Sequence, residues 1–206
     1  MESLKELYKI GPGPSSSHTM GPQRAARIFN EKNPNAASFR AHLYGSLAAT
    51  GKGHLTDYII IKTLAPKNVE IVWEPEIVKE FHTNGMKLVA LDEAGNVMDE
   101  WTVFSVGGGS LAEEGKRGQS SASVYPHDNI EDFDDEDIMD YLREIRLAMR
   151  KSLDDGLKAT DIIPGKLKLA RKARTFYRQY KVNKQLSSMI YAYALAVSEQ
   201  NASGFE

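Results

Sequence analysis

The stretch Met86-Lys87-Leu88-Val89-Ala90-Leu91-Asp92-Glu93-Ala94-Gly95-Asn96-Val97 decides the fold class. Met86 to Asp92 is a short, largely apolar run that ends in turn residues and reads as a strand. Glu93-Ala94-Gly95-Asn96 is a turn, and Val97 to Val106 resumes as a second strand, so the pair reads as a β-hairpin. Working outward, Gly107-Gly108-Gly109 ends the hairpin. Upstream, Val69–Trp73 and Ser38–Gly45 also read as strands. Helical periodicity fills the gaps. One helix runs from Gln23 to a stop near Asn33-Pro34, and another from Thr56 or Asp57, taken as its cap, through Ile61 and Leu64 to Pro66. Residues 3 to 9 read as one short helical turn. The expected class is α+β, a β-rich N-terminal domain with flanking helices.

The rest of the chain is different. Residues 113–130 read as a linker, with Glu, Gly, Lys and Ser prominent from Glu113 to Ser123. Glu131 to Asp137 holds six acidic residues around Phe133 and reads as the solvated start of a helix. A calcium loop is not in register there, because the required Gly and Glu are absent. From Ile138, Tyr141, Leu142, Ile145, Met149 and Leu153 recur at helical spacing, with Gly156 as the expected stop. Ile163-Pro164-Gly165 reads as a turn, Leu167 to Tyr180 as a basic helix and Met189 to Val197 as an apolar one. The Tyr191–Val197 run is apolar all round, which predicts complete burial or, failing that, self-association into a homo-oligomer. The expected layout is therefore 1–112, a 113–130 linker, and an all-α 131–206.

Composition narrows the function. The 206 residues carry 26 Lys plus Arg against 28 Asp plus Glu. That near balance speaks against a general nucleic-acid or polyanion binder. The absence of cysteine excludes disulfides, thiol catalysis and thiolate-held metal within this sequence. No apolar run approaches the length of a bilayer span, and the first residues have no signal-peptide core, so a soluble cytoplasmic protein is expected, with no membrane partner.

Three loops carry candidate chemistry. Gly13-Pro14-Ser15-Ser16-Ser17-His18-Thr19-Met20-Gly21-Pro22 opens the first long helix. Hydroxyls and helix-start N–H groups together suit a carboxylate or phosphate, and His18 can exchange a proton near neutral pH. An N-capped helix with a polar histidine explains the same residues equally well. No lysine follows at P-loop spacing. The second loop, Thr50-Gly51-Lys52-Gly53-His54, reads more readily as a structural βα turn. The third, Phe81-His82-Thr83-Asn84-Gly85-Met86, is a tight turn or the rim of a polar site, with His82 and Asn84 as its functional groups. His18, His54 and His82 lie far apart in sequence and show no metal-ligand spacing, which makes a three-His zinc site the less favoured alternative. His42 and His127 read as structural or solvated.

Together these blocks resemble the iron–sulfur-dependent L-serine dehydratase (L-serine ammonia-lyase) family. The resemblance rests on Gly13-Pro14-Ser15-Ser16-Ser17-His18-Thr19-Met20-Gly21-Pro22, Leu43-Tyr44-Gly45-Ser46-Leu47-Ala48, Thr50-Gly51-Lys52-Gly53-His54, His82 with Asn84-Gly85-Met86, and Ser105-Val106-Gly107-Gly108-Gly109. It implies a β-type substrate-binding domain over 1–112. Ile162–Ala173 and Tyr193–Gly204 are similar to the start of the family's helical α, or catalytic, domain. Lys166 departs from that pattern, which usually has a second Gly there. The resemblance further implies deamination of L-serine to pyruvate and ammonia, in amino-acid catabolism and gluconeogenesis. A 4Fe-4S cluster would act as Lewis acid on the β-hydroxyl. Its ligands are expected in a C-terminal segment beyond Glu206 or in a partner α polypeptide. His18 and Thr19 would be the catalytic contacts, and Ser15, Ser16, Ser17, His82 and Asn84 the substrate-binding ones. Two alternatives stand beside this one. The first is a non-catalytic module binding an amino acid or hydroxy acid, similar to the allosteric domains of some phosphoglycerate dehydrogenases. The second is a remnant without function.

Overall fold

The computed structural model describes residues 4–115, 136–163 and 168–204. The linker from 116 onward with His127, the acidic residues 131–135, and 164–167 of the expected turn and helix start lie outside the described residues. The chain divides into two compact units, Ser15–Ser120 and a second made of Met1–Pro14 with Ser121–Glu206.

The first unit is α+β. Its elements are α2 (Met20–Lys32), β1 (Ser38–Tyr44), α3 (Gly45–Ala49), α4 (Thr56–Leu64), β2 (Asn68–Glu74), β3 (Gly85–Leu91), β4 (Val97–Gly107) and β5 (Ser110–Ala112). The sheet order is β2-β1-β3-β4-β5, with β1 and β2 parallel and the other neighbours antiparallel. The parallel pair needs a crossover, which α3 and α4 supply. Asp92 accepts from the Ala94 and Asn96 N–H groups at 2.9 and 2.8 Å and so shapes the predicted hairpin turn.

Alternation along β1 separates two faces. Phe39, Ala41 and Leu43 point into a core with Phe29 and Ala25 of α2, Ile60 and Leu64 of α4, and Leu88 and Val103 of the hairpin. Arg40 and His42 lie on the other face, where they pair with Glu70 and Glu74. Lys87 pairs with Glu100 at 2.8 Å, so cross-strand charges cover the outer surface of the sheet. His42 is thus structural, as expected.

The antiparallel register brings distant loops together. Leu43 stands opposite Met86, and Gly85 opposite Phe104. The end of β1, the start of β3 and the end of β4 therefore share one edge of the sheet.

The second unit is helical, with α1 (Leu4–Leu7), α5 (Glu136–Lys158), α6 (Ala173–Asn183) and α7 (Leu186–Ala202). Three expectations are corrected here. Gly156 does not end α5. It sits inside the helix because a Cβ there would collide with the Ala196 backbone of α7, so this crossing requires glycine. The basic helix begins at Ala173, not Leu167. Residues 168–172 are non-helical and Ile162 bridges Ala170. The buried Glu199 carboxylate accepts from the Lys172 and Ala173 N–H groups, at 2.6 Å from the former, and so caps that start. Finally, α7 is not buried all round. It buries Ser188, Ala192, Ala196 and Glu199, while Tyr191 and Val197 are 59% and 49% exposed. Small residues face the neighbouring helices because the close crossing leaves no room for large ones. No helix among the described residues is long and apolar enough to cross a membrane.

The Gly156 crossing yields a direct test. Gly156→Val should destabilise the helical unit by about 1–3 kcal/mol through overpacking, read as a lower midpoint in denaturant unfolding followed by helical circular dichroism. An unchanged midpoint would show that the helices separate at no cost.

Candidate functional site

The serine loop does not cap α2 as expected. Thr19 stands at the N-cap position with no side-chain capping bond, and the helix starts at Met20, three residues before Gln23. The reason is a tight turn ahead of the helix. His18 and Thr19 N–H groups donate to the Ser15 carbonyl at 2.9 and 2.8 Å, and Gly21 N–H donates to the Ser16 carbonyl at 2.9 Å. N–H groups expected to point at a ligand are thereby used within the turn. The Thr19 hydroxyl donates to the same Ser15 carbonyl at 2.7 Å, and Thr19 is 1% exposed.

This turn buries the His18 imidazole. Its Nδ1 lies 3.0 Å from Ser17 Oγ and 3.3 Å from Ser15 Oγ, and those two hydroxyls are 3.3 Å apart. On the other side of the ring, Nε2 lies 3.0 Å from Thr50 Oγ1 and 3.4 Å from the Ser46 carbonyl. The backbone is held too, since the fully buried Thr56 hydroxyl donates to the His18 carbonyl at 2.8 Å. Thr56 is therefore a clamp on the serine turn and not the cap of α4. Leu55, in the left-handed conformation, occupies the α4 N-cap position.

His54 joins the cluster. Its ring centroid is 4.6 Å from that of His18, and its Nδ1 is buried without a partner. The loop read from sequence as a structural turn thus delivers a second imidazole. Burial pushes the His18 pKa below the ordinary histidine value, the Ser46 carbonyl opposes this and the neighbouring His54 reinforces it. His18 therefore gives up its proton more readily than an ordinary histidine.

His82 and Asn84 stand at the same sheet edge. His82 Nδ1 accepts from the Asn84 N–H at 3.1 Å, which fixes the lone pair of that nitrogen. Asn84 Nδ2 donates to the Ser105 carbonyl at 3.4 Å, while Asn84 Oδ1 and the Ser105 hydroxyl are buried and unpaired. The Ser46 N–H donates to the Thr83 carbonyl at 3.1 Å, and Gly45, at φ +47°, lets the two backbones approach. Ser46 therefore links the His82–Asn84 loop to the His18 cluster. On the other flank, Gly21 of α2 lies against Ser105. Ser16 is partly exposed in the same turn. Ser46, Thr50, Thr56 and Ser105 lie in motifs the sequence marks, yet nothing in the sequence gives them a role in a site. Their hydroxyls and carbonyls carry no local signal for a site, because their partners in it are 21 to 38 residues away, as for Ser105 with Asn84 and Thr56 with His18.

A cluster of uncharged hydroxyls around a buried histidine suits a small zwitterion or hydroxylated ligand, for which each hydroxyl can turn to donate or accept. Residues 3–70 and 62–116 match the serine dehydratase beta chain family. The chain belongs to that family. Similar relatives include the L-serine dehydratase of Haemophilus influenzae, 30% identical over 279 residues that cover 99% of this chain and 61% of that protein. The L-serine dehydratase of Streptomyces coelicolor is 29% identical, covering 98% and 61%, and L-serine dehydratase 2 of Escherichia coli is 29% identical, covering 99% and 61%. The chain thus spans about 61% of the length of the relatives it matches.

The 4Fe-4S cluster implied by the family finds no ligand set here. There is no cysteine in the sequence, and among the described residues no three His, Asp or Glu side chains converge. The residues present do not fit that group.

Two tests follow from this geometry. Thr56→Val leaves the His18 carbonyl without its buried donor and should cost about 1–3 kcal/mol, measured by denaturant unfolding. Because the folded state lowers the His18 pKa, the histidine-linked stability is fully present above the ordinary value of 6.5 and falls as the pH drops below it, where the unfolded chain takes up the proton first. His18→Gln should flatten this decline between pH 7 and 5. An identical pH slope in wild type and variant would contradict the depressed pKa.

Proposed function

We propose that this chain supplies the L-serine-binding part of an L-serine dehydratase, which converts L-serine to pyruvate and ammonia. The observation that carries the reading is the buried His18 held between the serine turn and the Thr50 loop, in a family whose named relatives are L-serine dehydratases.

In this proposal Ser15, Ser16 and Ser17 meet the polar groups of the amino acid, with His82 and Asn84 completing the wall. The Ser15 and Ser17 hydroxyl oxygens can accept from the ammonium, and the Ser16 hydroxyl can donate to the carboxylate. The unpaired Asn84 Oδ1 and Ser105 hydroxyl offer one further acceptor and one further donor at the same edge. With its pKa lowered by burial, His18 favours the uncharged form, whose ring lone pair can receive a proton from a bound substrate. Thr19 has its hydroxyl committed to the Ser15 carbonyl, so its role here is to shape the turn. The 4Fe-4S cluster belongs, in this reading, to polypeptide outside these 206 residues, and a cluster-bearing α polypeptide is the expected partner.

One observation favours a second reading. Without cysteine the chain alone suits a non-catalytic module that binds an amino acid or hydroxy acid. Both readings need the same binding surface, and one experiment separates them. Titration calorimetry should show L-serine binding to the isolated chain, weakened about tenfold or more (~1.4 kcal/mol) in His18→Gln. Pyruvate formation after anaerobic mixing with a cluster-bearing α polypeptide supports the dehydratase. Binding without turnover in that mixture supports the module, and absence of binding overturns both.

A further inference from the structure

Resting on the reading of His18 as the proton-accepting group, we infer that Thr50 is a positioning residue that keeps the His18 proton on Nε2 and leaves the Nδ1 lone pair facing Ser15 and Ser17. A neutral imidazole has one N–H and one lone pair, and its neighbours decide which nitrogen carries which. Nε2 has two partners, Thr50 Oγ1 at 3.0 Å and the Ser46 carbonyl at 3.4 Å. The carbonyl can only accept. The Thr50 hydroxyl has a single proton, and giving it to the Ser46 carbonyl at 3.0 Å spares that carbonyl from facing two bare lone pairs, one on Oγ1 and one on Nε2 at 3.4 Å. Towards His18 its oxygen can therefore only accept as well. Both groups beside Nε2 are acceptors, so Nε2 must donate.

The Ser46 carbonyl cannot perform this task alone. It already receives the Thr50 N–H at 3.1 Å and the Thr50 hydroxyl, which use both of its lone pairs. Its contact with Nε2 is also the longer one. Thr50 Oγ1 is therefore the principal partner of the ring. Thr50 terminates α3, and its hydroxyl bonds back one turn to Ser46. The end of a short helix is thus what orients the histidine.

The consequence appears on the other side of the ring. With Nε2 protonated, Nδ1 is an acceptor. Ser17 and Ser15 both lie within reach of it, yet it can take only one hydroxyl proton. Ser15 can then donate to Ser17 across 3.3 Å while Ser17 donates to Nδ1. The pattern leaves the oxygen lone pairs of the turn free for a donor such as an ammonium or a hydroxyl. The opposite tautomer would point a ring N–H at the serines and set a lone pair against the two acceptors beside Nε2.

Thr50 is exposed and outside the hydrophobic core, so its replacement can be tested in a folded protein. Nitrogen-15 correlation spectra of the histidine rings in the free chain at neutral pH read the tautomer without any substrate. Wild type should show His18 with a protonated Nε2 and an unprotonated Nδ1, two widely separated signals. In Thr50→Val the separation should collapse towards an average of exchanging tautomers, and Thr50→Ser should restore it. Backbone amide spectra would confirm that both variants are folded. A wild-type His18 protonated on Nδ1, or a folded Thr50→Val with unchanged ring signals, would overturn the inference. Failure of L-serine to bind would instead count against the proposed function and leave the tautomer assignment standing.

Discussion

The Thr56 hydroxyl is fully buried and donates to the backbone carbonyl of His18. On that bond depends the geometry of everything around it. It ties the turn ahead of α2 to the first residue of α4, two elements 38 residues apart. A turn of three serines would otherwise be mobile, since its side chains are short and polar. Clamped from beneath by Thr56, and closed by Thr19 bonding to Ser15, it presents His18 in one orientation. The desolvation that lowers the His18 pKa follows from this placement.

The sheet supplies the second constraint. Antiparallel pairing of β1 with β3 and of β3 with β4 sends the end of one strand to the beginning of the next. Gly45-Ser46, His82-Asn84 and Ser105 therefore meet at one edge, although the sequence spreads them over sixty residues. Most of the polar atoms there are paired. Three buried atoms there, His54 Nδ1, Asn84 Oδ1 and the Ser105 hydroxyl, lack a hydrogen-bond partner, whereas elsewhere among the described residues such atoms, Trp101 Nε1 and Arg171 Nε, stand singly. Unpaired buried groups are costly in a folded protein, and their concentration at one place marks it as a candidate site.

The helical unit obeys a different rule. There the packing is set by backbone approach. Gly156 faces Ala196, Glu199 caps α6, and Arg171 bonds to Asp161, Gln200 and Ser203. The large side chains of α7 are left outside as a result. An apolar stretch read as a buried helix is a helix, but its buried face is chosen by small residues.

By itself the sequence determined the α+β class, the hairpin over 86–106 and the strands near 38 and 69, because alternation and turn chemistry are local. It also marked Ser15, Ser16, Ser17, His18, His82 and Asn84 as site residues, through motifs that are compact in the chain. Only the tertiary structure decided how those residues are engaged. It showed that the N–H groups of His18, Thr19 and Gly21 are used within the turn, that Thr56 is a clamp and not a cap, and that His54 and Thr50 stand beside His18. Gly156 makes the same point, since it reads as a helix stop and is in fact a helix crossing. The physical reason is the same in each case. A hydrogen bond or a close approach between elements tens of residues apart leaves no periodic trace, and it exists only once the core has brought the two backbones together.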